Sequence, residues 1–184
     1  MSRRLLLGAA LAALALLPAA CGGDGDDAPP PLPSGFVREQ GREWTFARPR
    51  DWSAVEADAA PGRELVGFES ALGPAGLPAQ VGLGLNPDYP NELAQAVQLA
   101  KEQSAIAYPG YKVLREREVE LPGADAYRID AEYRSFQDDP VPVRTVDLLV
   151  QTPGDTQMNF FVRAAATDFE RLELERIVQT FRLR

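Results

Sequence analysis

The sequence predicts one α+β domain, an antiparallel sheet flanked by helices, preceded by an export leader and a short linker. Three observations carry this reading. Four consecutive strand candidates between Tyr111 and Ala166 are joined by turns too short for parallel crossovers. Two segments, one from Leu93 and one from Thr167, carry apolar stripes at three-and-four spacing. From Phe36 to Arg184 no second linker divides the chain, and this span is long enough for one sizeable core.

The first element is the leader. Arg3 and Arg4 precede an uncharged apolar run from Leu5 to Leu17, and small residues follow, which is the three-part layout of a secretory signal and is too short for a spanning helix. Leu17-Pro18-Ala19-Ala20-Cys21-Gly22 is similar to the lipobox of bacterial lipoproteins, with Pro18 where an aliphatic residue is usual. The resemblance implies cleavage before Cys21, acylation of its thiol and attachment of the chain to the outer face of a bacterial membrane. The alternative is an ordinary secretory signal that leaves Cys21 a free thiol. Residues 1–20 are thus read as the signal, 21–35 as the lipidated cysteine and a tether, and 36–184 as the folded domain. The tether, rich in glycine, aspartate and proline, holds one large apolar residue and cannot bury enough surface to order itself. Asp24, Asp26 and Asp27 lack the later glutamate and flanking helices of a calcium-binding loop.

Composition then removes whole classes of function. Cys21 is the one cysteine, so the domain holds together without a disulfide even in an oxidising compartment. There is no histidine, which removes the commonest general base and most zinc, copper and haem schemes. No cofactor is expected. Without Arg3 and Arg4, 17 basic residues face 27 acidic ones, a formal charge of −10. Nucleic acid is therefore not an expected partner, and the lipid anchor, not a basic surface, would hold the chain to its membrane.

Within the domain, Trp44 to Pro49 alternates as a half-buried strand and ends at proline. Glu64 to Glu69 and Gln80 to Leu85 continue as strands. In the second, Val81, Leu83 and Leu85 share one face, while Gly82 and Gly84 leave the other nearly bare, a flat floor on which a helix can sit closely. Pro90-Asn91-Glu92 opens a helix whose narrow stripe is Leu93, Ala96, Val97 and Ala100, stopped by Pro109-Gly110. Tyr111 to Leu121 carries Arg115 and Arg117 on one side and Glu116, Glu118 and Glu120 on the other, so it projects past the core or lies at an edge. Ala124 to Phe136 places Tyr127, Ile129, Ala131 and Tyr133 on a core face and Arg128, Asp130, Glu132 and Arg134 on a face that meets water. Val143 to Gln151 and Gln157 to Ala166 complete the run. Thr167 and Glu170 have the spacing of a capping box at the start of the last helix, whose buried stripe is Leu174, Ile177, Val178 and Phe181.

The early aromatic strand ending in Pro49-Arg50-Asp51-Trp52, the mid-chain helix, the strand opened by Gly123-Ala124-Asp125-Ala126-Tyr127 and the close Ile177-Val178-Gln179-Thr180-Phe181-Arg182 together resemble the PsbP-like superfamily over nearly the whole domain. With its leader and tether, the chain is similar in particular to LpqN-type bacterial lipoproteins. The resemblance implies an α/β/α sandwich around an antiparallel sheet, and members that act mostly as extrinsic subunits, binding modules or envelope accessory proteins rather than enzymes.

The residues agree with a non-catalytic role. The serines have no histidine to activate them, no phosphate-binding loop is present, and no carboxylate pair stands out from the charged faces that would carry it anyway. Two readings follow. In the first, the domain is a binding or scaffold module for an envelope protein, with Phe136 beside Asp138, Asp139 and Pro140 as part of its surface. In the second, it carries a lipid-like ligand in a cavity lined by Trp44, Trp52, Tyr127, Tyr133, Phe160 or Phe161. The same aromatics are also what a domain without disulfides needs to fill its interior, and Phe136 is also read as the rim of the core.

Overall fold

In the computed structural model, which describes residues 31–56, 64–87, 89 and 92–184, Leu32–Arg184 forms one compact unit. Its strands are Phe36–Gln40 (β1), Trp44–Pro49 (β2), Ser53–Ala54 (β3), Glu64–Leu72 (β4), Pro78–Asn86 (β5), Lys112–Leu121 (β6), Ala124–Arg134 (β7), Pro142–Gln151 (β8), Gln157–Ala165 (β9) and Arg182–Leu183 (β10). The helices are Leu93–Ala107 (α1), Ala166–Arg171 (α2) and Glu175–Val178 (α3). Cys21 and the leader lie outside the described residues.

The strands form two antiparallel sheets. One has three strands in the order β1-β2-β10, and the other has seven in the order β3-β4-β5-β9-β8-β7-β6. The order follows from connection lengths. The chain runs from β5 through α1 to the far edge at β6, and three short turns then walk it back until β9 pairs with β5. As expected, the charged strand β6 is an edge.

The large sheet has different covers on its two faces. On one, Val81, Leu83, Val146, Leu148, Met158, Phe160 and Val162 meet Trp44 and Phe46 of the small sheet and Leu174, Ile177 and Phe181 from the chain's last segment. Phe160 is centred in this layer, with its ring 5.2 Å from Phe46 and 4.8 Å from Phe181. On the other face, Ile129, Ala131 and Leu149 pack against Ala96 and Val97 of α1. The alanine-rich stripe allows the close approach, but α1 rests on β7 and β8. It does not sit on the glycine floor of β5, as the sequence pattern led us to expect. The Phe161 ring occupies that floor, and a Cβ added at Gly82 would come within 2.5 Å of it.

Three further expectations are corrected. The charged face of β7 is only partly open to water: Glu175 of α3 reaches Arg128 and Asp130 is buried, while Arg134 at the strand's end is exposed. Arg128 donates to Asp130 at 2.6 and 2.9 Å and to Glu175 at 2.6 and 2.8 Å. These hydrogen bonds, Glu175 first, push the guanidinium pKa up. The last helix is broken in two, with Glu173 at φ +51° between the pieces. Phe169 and Leu174 are both fully buried, and five residues of continuous helix would turn them to different sides. The break lets both face the core. The capping box does not form either. Ala165 is the N-cap of α2 with no side-chain cap, and Glu170 instead pairs with Arg144.

Candidate functional site

Among the described residues, α1 covers its face of the large sheet over β7 and β8. Toward β9 and β5, a ladder of polar and aromatic side chains takes over from the helix. Phe161 lies across Gly82, and the Arg163 guanidinium stacks on Phe161 at 5.0 Å. Arg163 Nε donates to Gln80 Oε1 at 2.8 Å, and Gln80 Nε2 donates to Glu69 Oε2 at 3.0 Å. In the other direction, Arg163 Nη1 donates to the Tyr108 hydroxyl at 3.1 Å.

Tyr108 directly follows α1 and precedes the Pro109-Gly110 stop, where Gly110 takes φ +66°. This turn lays the Tyr108 ring on Tyr133 of β7, 4.4 Å between centroids. Phe136 leaves the same strand beyond Tyr133, 6.3 Å from Tyr108, and is 71 % exposed. Tyr108, Tyr133 and Phe136 thereby wall an open cleft of about 430 Å³ whose other sides include Leu77, Pro78 and Arg163. Gln137 Nε2 donates to the Gly76 carbonyl at 3.1 Å and ties the Phe136 loop to the turn between β4 and β5.

Asp147 points to the same face of β8, directly across from Phe161. Burial pushes its carboxyl pKa up to about 6, opposed by a hydrogen bond from Thr145 Oγ1 at 3.0 Å and by the charge of Arg163, and reinforced by Asp130. Burial also raises the phenols of Tyr111 and Tyr133, and the Asp147 charge adds to both. The arrangement offers flat aromatic surface at a mouth, one fixed guanidinium behind it and a carboxyl that changes charge near pH 6.

The six aromatics singled out as cavity residues do not meet around one space. Trp44, Trp52 and Phe160 are buried in the layer between the two sheets. Tyr127, Tyr133 and Phe161 lie on the opposite face of the large sheet. Only Tyr133 lines the aromatic cleft. Sequence reasoning missed Tyr108 and Arg163, which reach Tyr133 only through the helix-to-strand turn and the strand register. Phe136, read as core rim or surface, is exposed.

No family model matches this chain, and no curated protein sequence matches it. Several solved structures share its fold. Cyanobacterial PsbP (CyanoP) from Synechocystis sp. PCC 6803 is 12 % identical, covering 89 % of this chain and 99 % of its own at a TM-score of 0.62. LpqN of Mycobacterium tuberculosis, involved in cell envelope biogenesis, is 15 % identical over 80 % of this chain and 90 % of its own, TM-score 0.53. A Pseudomonas aeruginosa protein of unknown function, PA94, is 13 % identical over 76 % and 90 %, TM-score 0.51. The domain thus has a PsbP-like fold, built mostly of antiparallel sheet.

Proposed function

We propose that this chain is an LpqN-like lipoprotein of the bacterial cell envelope, anchored outside the cytoplasm through Cys21, whose domain is a non-catalytic module that binds an envelope protein. The leader and Cys21 support the anchor, and the likeness to LpqN supports the envelope setting. The observation that carries the binding role is Phe136, a large aromatic at 71 % exposure beside the Tyr108 and Tyr133 stack. Aromatic side chains held rigidly at a cleft mouth bury large area at low entropic cost when a partner arrives. The chain enters the domain through β1, in the layer on the other side of the large sheet, so the cleft is free of the tether's point of entry. A lipid carrier needs an enclosed apolar cavity, and the space between the sheets is taken by Phe46, Phe160 and Phe181.

Two measurements test the reading. Intact mass of the protein taken from its own membranes, against a Cys21→Ala variant, is expected to give a chain that begins at acylated Cys21; an unmodified chain would refute the anchor. A photo-crosslinking residue at Gln137 is expected to trap one discrete envelope protein, and Phe136→Ser to abolish that adduct. An adduct that survives the substitution would remove the cleft from the binding role.

A further inference from the structure

The edge strand β6 is sorted by charge to a degree that its own sheet does not use. Register with β7 puts Lys112, Arg115 and Arg117 on the face of the Arg128 cluster, and Glu116, Glu118 and Glu120 on the α1 face. The neighbouring strand neutralises them only in part: Lys112 stands across from Glu132, but the pattern does not continue. Arg117 stands across from Arg128, and Glu120 stands across from Asp125, like charges in the positions where opposite charges stabilise a sheet. Arg115 stands across from Asp130, which Arg128 already holds at 2.6 Å. Among the described residues, Glu116 alone of the six forms an ion pair, with Lys101 at 2.9 Å. On its outer side β6 pairs with no strand among the described residues.

A groove of about 840 Å³ runs beside the second half of this edge. Leu93, Val97 and Lys101 of α1 form one wall, and Glu118, Glu120 and Asp125 are on the other. The aliphatic side chains of Leu93 and Val97 facing the carboxylates of Glu118 and Glu120 fit the aliphatic stem and charged head of a lysine or arginine.

We propose that β6 is a docking edge for an extended segment of another protein, one whose side chains alternate in sign, basic toward the α1 face and acidic toward the Arg115 and Arg117 face. Such a segment adds an antiparallel strand along residues 115–121, past the irregularity in pairing between Val113 and Arg115. Its basic side chains meet Glu118 and Glu120 at the groove, and its acidic ones meet Arg115 and Arg117. A second copy of this chain does not satisfy the edge. In antiparallel pairing about a two-fold axis, directly opposed residues share a face, so arginine meets arginine and glutamate meets glutamate. The charges that exclude self-pairing are the same ones that select the partner.

The test uses the full chain in mild detergent and two blocked peptides of equal composition. One alternates glutamate and lysine, so each face carries a single sign; the other runs in Glu-Glu-Lys-Lys blocks, so each face carries both. The alternating peptide is expected to slow amide exchange along residues 115–121, to bind more weakly in high salt, and to lose roughly tenfold in affinity against Glu118→Lys with Glu120→Lys. Both glutamates are exposed, so the variant is expected to unfold at the wild-type denaturant concentration. Equal binding of the Glu-Glu-Lys-Lys peptide, protection elsewhere in the domain, or self-association of the chain that the double substitution disrupts would each overturn the proposal. Its outcome is independent of the Phe136 crosslink.

Discussion

Phe160 and Phe161 are adjacent in sequence and identical in chemistry, yet they serve the two faces of the large sheet in opposite ways. Phe160 is fully buried, ringed by aromatics from both ends of the domain. Phe161 lies flat on a glycine, partly covered, with an arginine stacked on top. The first face is closed by a second sheet and the chain's last segment; the second is covered by α1 over β7 and β8 and left open toward the tyrosines. The difference teaches that the closed face holds the larger core, while the other face is packed beneath α1 and leaves an aromatic cleft accessible beside it.

The largest effect that sharpens the contrast is Phe160→Ala, expected to destabilise by ~3–5 kcal/mol in a denaturant titration, because it empties the centre of the layer between the sheets. Phe161→Ala is expected to cost well under half of that; equal losses would erase the distinction. Next is Arg128→Ala, which leaves the buried Asp130 carboxylate without its guanidinium and is expected to cost about 3 kcal/mol. Glu175→Gln, at the exposed end of the same cluster, is expected to cost less than 1 kcal/mol.

Asp147 gives a smaller and pH-dependent effect on the open face. Its folded pKa, about 6, lies above the carboxyl's ordinary value of 3.8, so the folded protein binds the extra proton between those values. This group's contribution to stability is therefore fully present below about pH 4 and is lost as pH rises through 6. Asp147→Asn is expected to be more stable than wild type above pH 6, by on the order of 2 kcal/mol, with the gap closing toward pH 4. Thermal melts across that range measure it, and a constant gap would show that the carboxyl is not driven up by burial. Smallest of all, Phe136→Ser is expected to change stability by no more than about 0.5 kcal/mol, since the ring is mostly in solvent.

Much of the large sheet was legible because β6 to β9 alternate cleanly and their turns are short. The division into two sheets was not, because β1, β3 and β10 are short and owe their existence to partners: Leu183 is a strand residue only because Trp44 lies beside it. The broken last helix was equally hidden. Its stripe was correct, but nothing local says that Phe169 must join the same core as Leu174. For the open face, the pattern showed Tyr133 facing inward and could not show what it would meet. Arg163 and Tyr108 come to it from β9 and from the end of α1, so the ladder is a product of register and not of spacing.

The pairing of Gly82 with Phe161 also sets a timetable for making the protein. A ribosome releases β5 long before β9, and until β9 arrives the middle of the sheet is an unpaired edge carrying Val81 and Leu83. β6, β7 and β8 can pair with one another in chain order, but only β9 joins them to β5. The outer edge of β5 therefore stays without its partner until nearly all of the domain has been synthesised.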